Sequence, residues 1–144
     1  MNSILLGKQE ERKQGVGLEF EHLTERIIGA AIQVHRSLGP GFLESVYENA
    51  LVLELKKCGL KVEQQKEVKV FYEGIEIGKH RLDLFVEDEI VIDLKTIKAF
   101  DDVHFAVVKS QLRAVGKKHG LLLNFAGVKL EPRRVISNFE LLPS

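Results

Sequence analysis

Apolar positions recur with helical spacing in the first part of the chain. Leu23, Ile27, Ala30 with Ala31, Val34 and Leu38 repeat every three or four residues, with Ile28 and Ile32 beside them. This predicts a helix over about 20–38, stopped by Gly39-Pro40-Gly41. A second helix follows over about 42–58, with Leu43, Val46, Tyr47, Ala50, Leu51 and Leu55 inward. Gly59 ends it, as a glycine just past the last turn commonly does. The period then changes to two. Val68, Val70 and Tyr72 alternate with Lys69 and Phe71, which predicts a strand. Glu73-Gly74 reads as a tight turn into a second strand, Ile75 to Val86. Glu87-Asp88-Glu89 turns the chain again into a third strand, from Ile90 to about Thr96. Asp101 or Asp102 caps a third helix over about 102–117, with Val107, Val108, Leu112 and Val115 apolar. Leu121 to Phe125 reads as a buried strand. Arg134 to Phe139 reads as a last edge strand, with Pro132 at its boundary. The order α-α-β-β-β-α-β-β predicts an α/β chain of the mixed α+β kind, a sheet with helices packed on it.

The strand period has a further consequence at the second hairpin. With a three-residue loop, Val86 faces Ile90, Leu84 faces Ile92 and Leu82 faces Leu94, all apolar and all on one sheet face. A one-residue slip would turn every one of them to the wrong side, so the register is well determined. Asp83 then falls opposite Asp93, with Lys95 two residues on along the same face. Directly opposed side chains have Cβ atoms about 4.5–5.5 Å apart. Two carboxylates at that separation repel by about 3 kcal/mol at an effective dielectric of about 20. An exposed ion pair with Lys95 recovers only about 0–1 kcal/mol. A hard divalent cation offsets the repulsion, because Mg²⁺ is commonly held by one or two carboxylates plus waters and substrate oxygens. Lys95 is then placed to hold a phosphate oxygen or orient an attacking water. The bland alternative is a charged strand edge that discourages aggregation.

Composition narrows the setting. The chain has 144 residues, enough for one domain that buries most of its core without a disulfide. Lys plus Arg and Asp plus Glu are 21 each, so the net charge is zero. That argues against a protein that coats nucleic acid non-specifically, while leaving room for a local basic patch. The single cysteine, Cys58, can form neither an intrachain disulfide nor a cysteine zinc cage, and reads as a small buried hydrophobe. No apolar run reaches membrane-spanning length. A cytoplasmic protein is expected, with a polar arm over 1–18, one domain over 19–140 and a short tail over 141–144.

At the hairpin residues the chain resembles the PD-(D/E)XK nuclease-like superfamily. More narrowly it resembles the group called GxxExxY proteins. The name motif stands here as Gly41-Phe42-Leu43-Glu44-Ser45-Val46-Tyr47. The preceding run from Ile28 to Gly41, the turn Tyr72-Glu73-Gly74, the segment Arg81-Leu82-Asp83-Leu84 and the run Gly120 to Phe125 resemble it too, over about residues 22–139. The resemblance implies a restriction-endonuclease-like core, a mixed sheet flanked by helices with a Mg²⁺ or Mn²⁺ ion at one sheet edge. It implies hydrolysis of nucleic-acid phosphodiester bonds, DNA first. Asp83 matches the first acidic ligand, Asp93 the Asp/Glu of the motif, and Lys95 its lysine. Glu44 matches an acid contributed by the preceding helix, and Leu94 offers its backbone carbonyl. The chain departs from the pattern in Leu82 where Pro is common, in Asp93 where Glu is commoner, and in Val107 where related branches carry Gln. Gln111 lies one turn later on the same helix face.

Gln111, Tyr47 and His35 are accessory candidates. Tyr47 reads first as a packing residue with its hydroxyl paired, and His35 as a core histidine near a helix end. The basic residues Arg113, Lys117, Lys118 and His119, with Lys98, Lys109, Lys129, Arg133 and Arg134, suit either a solvated face or a phosphate backbone. With eight Phe, two Tyr and no Trp, no stacking platform for single-stranded bases stands out. A catalytically inactive module of the same fold, binding nucleic acid or a protein partner, is the second reading. A third option is pairing through the edge strand near Arg134 to Phe139, in a homodimer or with a protein partner that supplies specificity.

Overall fold

The structure is a computed structural model and describes residues 16–138. Helix α1 is Val16–Leu38 and helix α2 is Glu44–Lys57. Strands β1 (Val62–Tyr72), β2 (Ile75–Val86) and β3 (Ile90–Lys95) follow, then helix α3 (Asp102–Val115) and strands β4 (His119–Asn124) and β5 (Glu131–Ile136). The order is the expected one. The strands form one sheet in the order β1-β2-β3-β4-β5. All neighbours are antiparallel except β3 and β4, which are parallel. A parallel pair needs a crossover, and α3 supplies it.

The sheet is covered on both faces. On one side α1 and α2 bury Ile27, Ala31, Val34, Tyr47, Leu51 and Leu55 against Leu84, Ile92, Leu94, Leu121 and Leu123. On the other, α3 buries Val108 and Leu112 against Leu82, Phe85, Val91, Leu122 and Val135. β3 and β4 therefore lie between two apolar layers and read as nearly unbroken hydrophobic runs.

Several elements differ from their sequence reading. Helix α1 begins at Val16, inside the expected polar arm; the rest of that arm and the tail lie outside the described residues. β1 begins at Val62 rather than Val68, because the edge strand pairs with β2 on both sides of Gln65 through the polar run Gln64 to Glu67. β5 begins at Glu131 and takes in Pro132, which an edge strand accommodates because one side needs no donor. Phe139, its expected end, lies outside the described residues. On α2, Leu43 and Val46 are exposed, and the inward stripe is rotated to Tyr47, Glu48, Leu51, Val52 and Leu55. On α3, Val107 is exposed while Gln111 is buried. Cys58 is exposed rather than buried, since it is the residue that terminates α2.

The β2–β3 turn lacks glycine yet puts Glu87 and Asp88 at φ 53° and 55°. Lys61 holds it from both ends. Its backbone N–H donates to Glu87 Oε2 at 2.6 Å and its Nζ to Asp88 Oδ2 at 3.0 Å, while the Glu87 N–H donates back to the Lys61 carbonyl.

α3 approaches the sheet over a glycine. A Cβ at Gly120 would stand 2.8 Å from Val108 Cγ1 and 3.2 Å from the Val91 carbonyl oxygen. Both neighbours are fully buried, so neither side can yield freely. Gly120→Ala is expected to destabilise the fold by about 1–3 kcal/mol, the usual cost of overpacking. A denaturation midpoint unchanged from wild type would contradict this close approach.

Candidate functional site

The β2–β3 ladder pairs Leu84 with Ile92, Phe85 with Val91 and Val86 with Ile90, as the apolar pattern requires. It then stops. The expected third pair, Leu82 with Leu94, does not form. Leu82 instead joins the α3 side of the core while Leu84 and Leu94 stay on the α1–α2 side. The cause is local to one residue on each of two strands. β1 and β2 pair at Gln64 with Leu84 and again at Lys66 with Leu82, but Gln65 and Asp83 between them are unpaired. Gln65 sits at φ 54°, a left-handed conformation unusual for a non-glycine residue. Both strands thus change face at this point without losing register. The freed Asp83 side chain turns toward β3, where its Oδ2 accepts the Leu94 backbone N–H at 2.9 Å.

This capture brings two acids together. The Asp83 and Asp93 carboxylates are within hydrogen-bonding contact, and Lys95 Nζ lies 3.3 Å from Asp93 Oδ1. Asp93 is 5% exposed, and Lys95 is the cation that compensates this nearly buried charge. Burial pushes the Asp83 carboxyl from 3.8 up to about 6, and its contact with Asp93 adds to the rise. The Leu94 N–H and Lys95 oppose it. Of Leu94, the residue expected to offer a carbonyl, the structure shows the amide engaged with Asp83.

Glu44 approaches from α2. The chain before it turns at Gly39 and Gly41, at φ 72° and 107°, which only glycine adopts without strain. The Tyr47 hydroxyl fastens this turn, donating to the Gly39 carbonyl at 2.5 Å and accepting the Phe42 N–H at 3.2 Å. The pattern Gly41, Glu44, Tyr47 is therefore a local device. The tyrosine is wholly buried and fixes where α2 begins, and Glu44 is the first residue of that helix. Burial raises the Glu44 pKa, and the Asp83 charge raises it further, against Lys95 and the Thr96 backbone. Glu44 thus shares an electrostatic environment with Asp83 and Lys95. Among the described residues no three His, Cys, Asp or Glu side chains close into a metal cage. The donor set is a carboxylate pair with Glu44 beside it, all hard oxygens. That suits Mg²⁺ or Mn²⁺, which is often held by one or two carboxylates with water and substrate filling the remaining positions.

The accessory candidates separate. His35 stays in the core, stacked near Tyr47 and Phe125, with Nε2 3.2 Å from the Phe125 carbonyl oxygen. Gln111 is buried between α3 and the sheet, with an Oε1 that no donor among the described residues reaches. Two contributors escaped sequence reasoning. Glu48, one turn after Glu44, is 7% exposed, and its carboxylate is held by Gln64 at 2.7 Å and by Gln65 at 2.9 and 3.0 Å. Those amides tie the switch point of β1 to α2. The available signal was an acid four residues from Glu44, beside the apolar stripe. Asn124, at the end of β4, accepts the Ile97 N–H and donates to the Ile97 carbonyl, pinning the chain just after Lys95.

The raised Asp83 pKa sets a pH dependence. The folded protein holds a proton that the unfolded chain releases near 3.8, so this contribution is present at low pH and is lost as pH rises to about 6. Metal-free wild type is expected to lose thermal stability through that window relative to Asp83→Asn, and Mn²⁺ is expected to restore it above the window. Parallel melting curves would show a flat difference if Asp83 titrates normally.

A family model for the PD-(D/E)XK nuclease superfamily matches residues 21–135. Among solved structures, a crystal structure described as that of SSO0001 is similar, with a TM-score of 0.53 and 18% identity over 65% of this chain. The match covers 49% of that chain, so this protein spans about half its length. At that identity the likeness bears on fold alone, and it agrees with a restriction-endonuclease-like mixed sheet flanked by helices. No curated protein matches. No helix among the described residues is long and apolar enough to cross a membrane. With its matched region spanning most of the chain, from α1 to β5, this protein belongs to the PD-(D/E)XK nuclease superfamily.

Proposed function

We propose that the protein hydrolyses phosphodiester bonds of nucleic acid, DNA first, as a Mg²⁺- or Mn²⁺-dependent cytoplasmic enzyme of the GxxExxY group. The observation that carries this reading is the contact of Asp83 with Asp93 beside Lys95, at the C-terminal end of β3 next to its parallel neighbour β4. Crevices outside the carboxyl ends of parallel strands are where open α/β sheets bind ligands. Asp83, Asp93 and Glu44 would hold the ion, with the Leu94 carbonyl as a further donor. Such an ion supplies Lewis acidity toward a phosphoryl oxygen and lowers the pKa of a bound water. Lys95, drawn from Asp93, would orient the attacking water and stabilise charge developing on the phosphate. Glu44, half-buried at a helix start, would keep its charge once a cation lies beside it.

A second reading, an inactive module of the same fold that binds nucleic acid or a protein, draws on two observations. No three candidate ligands close into a cage among the described residues, and Val107 is exposed where related branches carry Gln. The open edge of β5 is where a second copy or a partner would pair.

Plasmid nicking separates the two. Wild type is expected to nick supercoiled DNA with Mn²⁺ or Mg²⁺ and to be silent in chelator. Lys95→Ala should lose at least about a hundredfold in rate, the scale of removing one transition-state donor, while melting as a folded protein. Intact plasmid with either ion at high enzyme would contradict the proposal and favour the second reading.

A further inference from the structure

The chain leaving Lys95 enters a second feature that the carboxylate site does not use. Ile97, Lys98, Asn124, Ala126, Gly127, Lys129 and Glu131 line a cavity of about 300 Å³. A neighbouring cavity of about 350 Å³ is lined by α1, through Ile32, His35 and Arg36, and by the β4–β5 loop. Lys129 lines both, so the two cavities lie side by side on that loop, and the groove is the pair of them.

The charge of this groove is uncompensated. Among the described residues Arg36, Lys98 and Lys129 make no ion pair, whereas Lys61, Lys66, Lys69, Lys79, Lys117 and Arg81 each do. The acid lining the groove, Glu131, is already held by Arg133 at 2.7 Å. Its position is fixed from the candidate site. The Phe125 N–H donates to the Lys95 carbonyl at 2.8 Å, and Asn124 binds Ile97 through both its backbone groups. One wall of the groove thus begins two residues beyond Lys95.

We infer that the groove lined by Arg36, Lys98 and Lys129 binds successive phosphates of the DNA strand that leads away from the Asp83–Asp93 site. The inference rests on the nucleic-acid part of the reading above, not on hydrolysis. Three cations spread along two adjoining open cavities suit an extended polyanion. A small phosphate would instead call for donors converging on one point. Contacts of this kind position a strand without reading its sequence.

The test is fluorescence anisotropy of a short labelled DNA duplex in chelator, where no cleavage occurs, repeated over a series of salt concentrations. Each neutralised phosphate contributes about 0.9 to the slope of log affinity against log salt. Lys129→Ala is therefore expected to weaken binding and lower that slope by about one. Lys98→Ala with Lys129→Ala should lower it by about two, each variant melting like wild type. Lys109→Ala, on α3 across the sheet, is expected to leave the slope unchanged. Equal slopes for wild type and the double variant would overturn the groove, as would full displacement of DNA by inorganic phosphate at matched ionic strength. Equal slopes together with plasmid nicking would remove the groove and leave the nuclease reading standing. A lowered slope without nicking would do the reverse.

Discussion

The Leu94 amide would ordinarily donate to a carbonyl across the ladder, but here it donates to the Asp83 side chain. A buried backbone N–H left unpaired costs about 1–3 kcal/mol, so β2 cannot part from β3 unless something replaces its carbonyl. The Asp83 carboxylate does so, and much of the site follows from that substitution. The ladder ends after Leu84 and Ile92, Leu82 passes to the α3 side, and an acid is drawn next to Asp93. Lys95, two residues along the same strand, pairs with the nearly buried Asp93 at 3.3 Å.

The helical side supports this break from outside the sheet. Gln65 occupies a left-handed conformation, of a kind that costs about 1–3 kcal/mol unless its surroundings fix it. Glu48 fixes it through paired amide contacts from Gln64 and Gln65. Tyr47, the neighbour of Glu48, anchors the loop that sets the start of α2. One helix thus carries Glu44 to the site, holds the strand switch through Glu48 and is itself registered by Tyr47. Asn124 closes the opposite side by pinning the chain after Lys95.

Much of this was legible in the sequence because it depends on periodicity. The helices, the element order and the register of Leu84 to Val86 against Ile90 to Ile92 follow from where apolar residues recur. Counting along that register set Asp83 opposite Asp93 as a ladder pair, whereas the ladder ends before them and Asp83 reaches β3 through its side chain. What the period could not show was the point where it fails. Leu82 is as apolar as Leu84, and nothing in the alternation distinguishes which face it takes once Asp83 leaves the ladder. Glu48 was hidden for a related reason: an acid on a helix reads as solvated until the amides that bury it are located. Cys58 and Leu43 were assigned inward by residue type, but both sit at helix ends, where the direction of the last turn decides exposure.

The central claim is that the break in the β2–β3 ladder assembles Asp83 and Asp93 into a cation site rather than a charged sheet edge. A crystal grown at neutral pH and soaked in Mn²⁺, with diffraction recorded for anomalous scattering, addresses it directly. The account predicts a peak bonded to oxygens of both Asp83 and Asp93, lost in Asp83→Asn. Crystals with the same ladder break and no manganese between those carboxylates would contradict it.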